Sequence, residues 1–326
     1  MRISLSRFLQ LRFNVFLYRR LNWECVYLYT ILLGKLYFFF HRRERQDIEM
    51  AVENTFARKK SSTEIKYVTR NVVQGILFHY YEKLFNAFST VETLKSFLRQ
   101  NIKSEGLEAI KRGLSKGRGV LLVTGHFEGV EFIPGYLSSK NFPVTIIVKF
   151  SSNHLRNVST KKAAEFATKI IDVDNTPNTL KAILNCLKEN HVVITQCDEI
   201  DEWRASRHDK ILFLGKQIKL DKTINILLNR GGASIVFGAM HRQEKRKYQF
   251  IVHSYKEMSR SVGSSIHLSG GAIALKFLEQ DILKYPEGWY QWEKYSNIIR
   301  MSSMPGTKAE IQRAPSLVEP SLSRIS

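Results

Sequence analysis

The sequence predicts an α/β fold, a central sheet with flanking helices, preceded by a helical region and an N-terminal apolar segment. Three observations carry this expectation. Four short runs rich in β-branched residues, Gly119 to Thr124 (GVLLVT), Val144 to Val148 (VTIIV), Val192 to Thr195 (VVIT) and Ser234 to Phe237 (SIVF), alternate with stretches of helical character, as strands joined by crossover helices do. Ahead of them, Ile48, Val52 and Phe56, then Ile65, Val68, Val72, Ile76 and Phe85, continue a helical pattern with few breakers. At the front, Leu21 to Phe40 (LNWECVYLYTILLGKLYFFF) is almost wholly apolar.

That front run has about the length a helix needs to cross a hydrocarbon core, although Glu24 and Lys35 interrupt it. Arg2, Arg7, Arg12, Arg19 and Arg20 precede it, and Arg42, Arg43 and Arg45 follow. Cations and the rings of Trp23, Tyr27, Tyr29, Tyr37 and Phe38 favour the headgroup level, so residues 1–40 are expected to form a membrane anchor that spans the bilayer or lies on it. A buried core helix is the alternative. Both flanks are positive, which leaves the orientation open, and the run ends in HRRER without a small-residue cleavage site, against a cleaved signal peptide. Residues 41–300 form the main domain, and 301–326, rich in Ser and Pro with little periodicity, read as a flexible tail.

With 326 residues, 44% of them hydrophobic, the chain can bury a sizeable core. Its 50 Lys and Arg against 30 Asp and Glu give a charge of +20, which attracts nucleic acid, anionic bilayers or phosphorylated substrates. The basic residues are scattered, and no helix-turn-helix, zinc finger or ribonucleoprotein aromatic signature occurs, which argues against nucleic acid. Cys25, Cys186 and Cys197 form no paired ladder and no C-x-x-C, and Cys186, His191 and Cys197 lack a fourth donor, so inert buried thiols are expected and no metal site. Gly113 to Gly119 lacks the Gly-Lys-Ser/Thr ending of a P-loop, and no Gly-x-Ser-x-Gly elbow occurs. The acidic run Asp198, Glu199, Asp201, Glu202 reads as a solvated loop, and His241, in AMHRQEKRK, as a surface-loop histidine past a strand end.

In open α/β sheets ligands bind at the carboxyl ends of strands. Three such ends carry polar clusters: Gly125 to Glu128, Lys149 to Asn153, and Gln196 to Glu199. Within RGVLLVTGHFEGVEFIPGYL, His126 falls on the turn between a buried strand and a helix, five residues before Glu131. On one continuous helix that spacing sets two side chains about 140° apart, so His126 must sit in the turn and fold back for Glu131 to orient it. A carboxylate on one ring nitrogen fixes the tautomer and leaves the other as a base. Gly125 and Gly129 allow close substrate approach. The spacing itself is uninformative: nine His and 30 acids in 326 residues give about 0.8 such pairs by chance, so the setting at a strand end carries the weight.

TGHFEGVEF resembles the His-x4-Asp/Glu catalytic motif of the bacterial late acyltransferases of lipid A biosynthesis, the lauroyl and myristoyl acyltransferases, together with relatives that acylate phosphatidylinositol mannosides. The similarity spans residues 41 to 295. IEMAVENTF and SSTEIKYVTRNVVQGILFHYYE resemble the helical region before the motif, NTLKAILNCLKENHVVITQCDE the stretch to an Asp-Gln strand end, FLG at Phe213 to Gly215 a Phe-Phe-Gly, and YPEGWYQWEK a Pro-x-x-Trp-x-Trp close. The chain departs at Gln196-Cys197-Asp198, at Glu293-Lys294-Tyr295 where relatives carry arginines, and at Lys149 or Lys161-Lys162 in place of an arginine.

The resemblance implies a glycerolipid-acyltransferase-like sheet at residues 41–300 and direct transfer of an acyl group from acyl carrier protein or coenzyme A to a hydroxyl of a membrane lipid or glycolipid, such as a lipid A precursor. His126 would be the general base and Glu131 its orienting partner, with Gly125, Lys149, Lys161, Lys162 and Asp198 against the substrates. It further implies no cofactor, an anionic membrane surface as partner, and the cytoplasmic face of the bacterial inner membrane as location. A non-catalytic membrane-surface protein derived from an acyltransferase is the first alternative, and a basic nucleic-acid-binding protein the second.

Overall fold

The computed structural model describes residues 8–9, 11–20, 23–150, 152–199, 204–263 and 268–303. The elements in chain order are α1 (Arg12–Arg20), α2 (Trp23–Phe40), α3 (Arg42–Phe56), α4 (Ser62–Phe88), α5 (Val91–Asn101), β1 (Ile102–Glu105), α6 (Glu108–Leu114), β2 (Val120–Thr124), a 3-10 turn at Val130–Phe132, α7 (Ile133–Ser139), β3 (Val144–Val148), α8 (Asn153–Glu165), β4 (Lys169–Asp172), α9 (Thr179–Lys188), β5 (Val192–Gln196), β6 (Ala205–Phe213), β7 (Lys216–Asp221), α10 (Thr223–Gly231), β8 (Ser234–Glu244), β9 (Lys247–Ser254), α11 (Tyr255–Val262), α12 (Gly270–Lys284), a second 3-10 turn at Pro286–Gly288, and α13 (Trp292–Ser303). Seven strands form one sheet in the order β1-β9-β8-β2-β5-β3-β4, and β6 pairs with β7 apart from it.

The sheet is mixed, with a parallel centre. β2 pairs parallel with β5 and β8, and β3 with β5 and β4, whereas β9 runs antiparallel to β8 and carries β1 along it. Every residue of β2 is buried because both faces of the sheet are covered, so the strand reads as an unbroken apolar run. Its side chains divide by period two. Leu121 and Val123 enter a core shared with Phe277 and Leu278 of α12 and Val72 and Leu77 of α4. Val120 and Leu122 enter a second core with Phe97 of α5, Ile110 of α6 and Ile133 of α7. The four strands expected from the sequence are β2, β3, β5 and the first part of β8. β8 runs on to Glu244, so His241 lies inside a strand rather than in a surface loop; its ring meets Phe127 edge-on.

The helical region before the sheet is dominated by α4, 27 residues long, whose first turn is closed by a reciprocal Ser61 and Glu64 capping box. α2 packs on α4 along one side, burying Val26 and Tyr37. Gly34 makes that approach possible, because a Cβ there would collide with the side chain of Leu77. The opposite side of α2 exposes Leu28, Leu32, Leu36 and Phe39, each by about half or more. α2 is thus apolar on two faces, and the buried-helix alternative holds for one of them. Among the described residues no helix is long and apolar enough to cross a membrane. Arg2, Arg7 and Leu21 of the expected anchor lie outside the described residues, as do Asp201 and Glu202. Residues 301–303, expected in the tail, end α13, and 304–326 lie outside the described residues.

Candidate active site

β2 ends at Thr124, and the chain turns at Gly125 and His126 into the 3-10 turn. Gly125 is required by packing: a Cβ would lie 2.5 Å from Leu278 of α12. β5 lies beside β2 with Gln196 opposite Thr124, so Asp198, two residues further on, arrives at His126. The Asp198 side chain is fully buried. Its Oδ1 accepts from His126 Nδ1 at 2.9 Å, and its Oδ2 from the His126 main-chain N–H at 2.9 Å and from Trp289 Nε1 at 2.7 Å. The other ring nitrogen, Nε2, stands 2.7 Å from Oε1 of Glu199, whose Oε2 is 3.7 Å from Lys294 Nζ.

Trp289 belongs to the segment after α12, which clasps the histidine turn. Glu128 N–H donates to Gly288 at 2.8 Å, Tyr290 N–H donates to the His126 carbonyl at 3.2 Å, and Phe127 bridges to Trp289. Trp289, Trp292 and Tyr295 are wholly buried; Trp289 and Tyr295 meet Phe213 at the end of β6, and Trp292 packs against both of them. Tyr295 donates from its hydroxyl to the carbonyls of Phe213 and Leu214 at 3.2 and 2.8 Å. The Phe-Leu-Gly turn and the Trp-x-x-Trp close are therefore parts of one support for the Asp198 and His126 pair. Tyr290 presents its edge to His126 and stacks on His79 of α4, ring centres 3.4 Å apart. A second support lies behind Glu128, which adopts φ +36°, a conformation costly for a residue with a side chain. Its carboxylate accepts from the Arg242 main-chain N–H, and the Arg242 guanidinium lies between Glu128 and the buried Glu82, 3.8 and 3.2 Å away.

The electrostatics follow from these contacts. Burial alone depresses the pKa of His126, but Asp198 and Glu199, each a hydrogen-bonded carboxylate, outweigh it and push the ring up to about 9. Glu199 is raised by burial and lowered more strongly by His126 and Lys294, so it falls well below the usual carboxylate range. His79 is driven well below its ordinary value, by burial first and then by Lys83 and His126, and stays neutral. Glu128 is pushed up to about 7 by burial, against the pull of Arg242.

Beside His126 opens a cavity of 820 Å³. Leu84, Phe88, Ile146, Phe166, Ile170 and Ile183 give much of its wall an apolar surface, and His126, Glu131, Lys149, Glu199 and Lys294 stand along it. The strand-end clusters after β2, β3 and β5 thus meet at one cavity, as expected.

Several expected contacts fall differently. Glu131 lies on the same wall, but its carboxylate pairs with Lys83 of α4 at 3.9 Å, and among the described residues both ring nitrogens of His126 are held by Asp198 and Glu199 instead. The 3-10 turn aims Glu131 at α4, whereas strand pairing delivers Asp198 to the ring. Asp198, expected against substrate, is enclosed and spends its oxygens on protein donors. Lys162 donates to the carbonyls of Asn86, Ala87 and Ser89 at 2.6, 2.9 and 2.8 Å, closing the end of α4. Lys161 is exposed and lies off the cavity wall. Glu199 and Trp289 are the positions around the Asp198 and His126 pair that residue-by-residue reading missed. Glu199 stood in an acidic run that looked solvated, and Trp289 was visible through the Pro-x-x-Trp-x-Trp resemblance alone.

Residues 16–294 match the model of a family described as Bacterial lipid A biosynthesis acyltransferase. The chain belongs to this family. No individual curated protein matches it. Membership makes the chain an acyltransferase acting on lipid A-like substrates, with a lipid acceptor and an acyl donor. In this acyltransferase the match covers the histidine turn, the residues that line the cavity and the clasp as far as Lys294, one residue short of Tyr295.

Proposed function

We propose that the protein transfers a fatty acyl group from an acyl thioester, carried by acyl carrier protein or coenzyme A, to a hydroxyl of a membrane lipid or glycolipid, a lipid A precursor or a related lipid. The observation that carries this reading is the buried Asp198 and His126 pair, whose imidazole stands on the wall of a largely apolar cavity. Asp198 fixes the Nδ1–H tautomer and stabilises the imidazolium that forms. Nε2 takes the proton of the acceptor hydroxyl as its oxygen attacks the thioester carbonyl. The tetrahedral intermediate then collapses, the C–S bond breaks, and the imidazolium returns the proton to the departing thiolate, so no cofactor is needed. General-base help of this kind is worth about 10²–10⁴-fold.

The apolar wall takes the acyl chain, since each buried methylene contributes about 0.8 kcal/mol. Lys149 supplies positive charge for a phosphate of the acceptor or for the oxyanion, as a point charge rather than a fork. Glu131, beside Lys83 on the wall, meets substrate rather than the imidazole. The exposed row of α2 supports the protein lying on a bilayer surface, which in this proposal is the anionic cytoplasmic face of the bacterial inner membrane.

The test is incubation of the protein with labelled acyl carrier protein or acyl-coenzyme A and a panel of lipid acceptors, with products identified by mass spectrometry. Transfer that disappears in His126→Ala supports the reading. Acylated lipid still formed by His126→Ala would overturn the mechanism, and transfer to no lipid would favour a non-catalytic membrane-surface protein.

A further inference from the structure

The nitrogen that must receive the acceptor's proton is already covered. Glu199 Oε1 lies 2.7 Å from Nε2 while Asp198 holds Nδ1 at 2.9 Å. With a carboxylate on each nitrogen both positions carry hydrogen, the ring is an imidazolium, and it has no lone pair to offer. For His126 to act as a base, one carboxylate has to leave.

The two are not equivalent. Asp198 is fully buried and anchored by three N–H donors from His126 and Trp289. The Glu199 side chain is 35% exposed, stands on the cavity wall, and has a second partner in Lys294, 3.7 Å from its other oxygen and itself 38% exposed. Moving Asp198 strands a buried charge, whereas moving Glu199 exchanges one cation for another at the edge of solvent.

We infer that Glu199 is a displaceable stopper on the catalytic base, which the acceptor lipid swings from His126 to Lys294, so that the acyl thioester is protected from hydrolysis until an acceptor is in place. This rests on the acyltransferase reading above. A water molecule is too small to hold Glu199 away while it reacts. An acceptor that fills the cavity beside Glu199 displaces the carboxylate and presents its own hydroxyl to Nε2. The step balances: Nε2–H gives its proton to solvent as the ring becomes neutral, Glu199 remains an anion beside Lys294, and the hydroxyl proton then passes to Nε2. Glu199 is therefore a specificity-determining residue, setting the ratio of transfer to hydrolysis.

Other charged or titratable groups around the ring are His79 and Lys83 from α4, Glu131 from the 3-10 turn, and Tyr290 and Lys294 from the closing segment. None of them replaces a carboxylate on Nε2. Removing the Glu199 charge lowers the pKa of His126, by about 1–3 units for an opposite charge at this range.

The test combines two readouts on the full chain. NMR titration of the His126 ring in the wild type and in Glu199→Gln is expected to show the pKa falling by at least about 1 unit in the variant, without reference to activity. Hydrolysis of acyl-coenzyme A without acceptor is expected to rise at least about tenfold near neutral pH in Glu199→Gln and Glu199→Ala, with the acidic limb of the pH profile moved down and the ratio of transfer to hydrolysis reduced. An unchanged His126 titration, or hydrolysis unchanged in both folded variants while His126→Ala abolishes wild-type transfer, overturns the stopper alone. Absence of any His126-dependent transfer or hydrolysis, with the titration shift present, overturns the acyltransferase reading instead.

Discussion

Trp289 donates its indole N–H to Oδ2 of Asp198 at 2.7 Å, and that bond joins the main-chain contacts by which the segment after α12 clasps the histidine turn 163 residues earlier. Asp198 holds a ring nitrogen on one oxygen and the tryptophan on the other, so the imidazole orientation is inherited from the clasp. Asp198→Asn keeps the shape but removes the charge and leaves an amide that cannot accept on both sides. Activity is expected to fall about 10²–10⁴-fold at unchanged KM for the acyl donor. Trp289→Phe deletes one bond to a charged acceptor, worth about 1.5–3 kcal/mol, and should lower both the Tm and kcat. Steady-state kinetics with thermal unfolding separates the two, and an Asp198→Asn enzyme with wild-type kcat would sever Asp198 from catalysis.

The pair also makes stability depend on pH, with a definite sign. The folded pKa of His126 is raised from 6.5 to about 9, so its contribution is fully present below 6.5 and is lost as pH rises through about 9. Glu199 is lowered from 4.5 to about 2, so its contribution is present above 4.5 and is lost as pH falls through about 2. The ion pair stabilises the fold most between those unfolded values. The Tm advantage of wild type over His126→Gln should therefore be larger at about pH 6 than at about pH 9.5. An equal difference at both values would mean that the ring is neutral in the folded state.

The β2 strand and the turn at His126 were legible in the sequence, because a strand buried on both faces leaves an apolar run and a polar residue at its end stands out. The contact with Asp198 was not, since it spans 72 positions and depends on the register of β2 with β5. Glu131 looked like the partner because it is near in sequence, and the 3-10 turn sends it to Lys83. β1, β4 and β7 were invisible for a different reason: IKSE, KIID and KQIKLD carry the charges that protect sheet margins, and these hide the pattern of a strand.

Lys162 offers a test of whether a cation on the cavity wall is structural or functional. Its ammonium satisfies carbonyls at the end of α4 that have no partner within the helix. Lys162→Met should cost about 1.5–3 kcal/mol of stability and leave the KM for the acceptor unchanged in the folded fraction. Lys149→Met should do the reverse, raising KM with little change in Tm. Urea unfolding and acceptor titration of both variants decide the assignment, and a raised KM in Lys162→Met would return it to the substrate.

The exposed row on α2 makes the last prediction, about where the enzyme meets its lipid. Leu28, Leu32, Leu36 and Phe39 lie on the side of α2 away from α4, and Arg42 follows with its guanidinium 5.6 Å from the Phe39 ring centre. Cations at the end of an apolar row match the depth profile of a bilayer surface, with alkyl chains below and phosphates above. Inserting one such side chain gains about 1.5–3 kcal/mol, which is about tenfold or more in partitioning. Serine at Leu28 and Leu32 together should release the protein from anionic vesicles in a flotation assay while the Tm holds, since neither side chain supports the contact with α4. Raising the salt concentration should weaken wild-type binding without abolishing it, because the apolar contribution is not screened. Unaltered flotation of the double variant would show that another surface meets the bilayer.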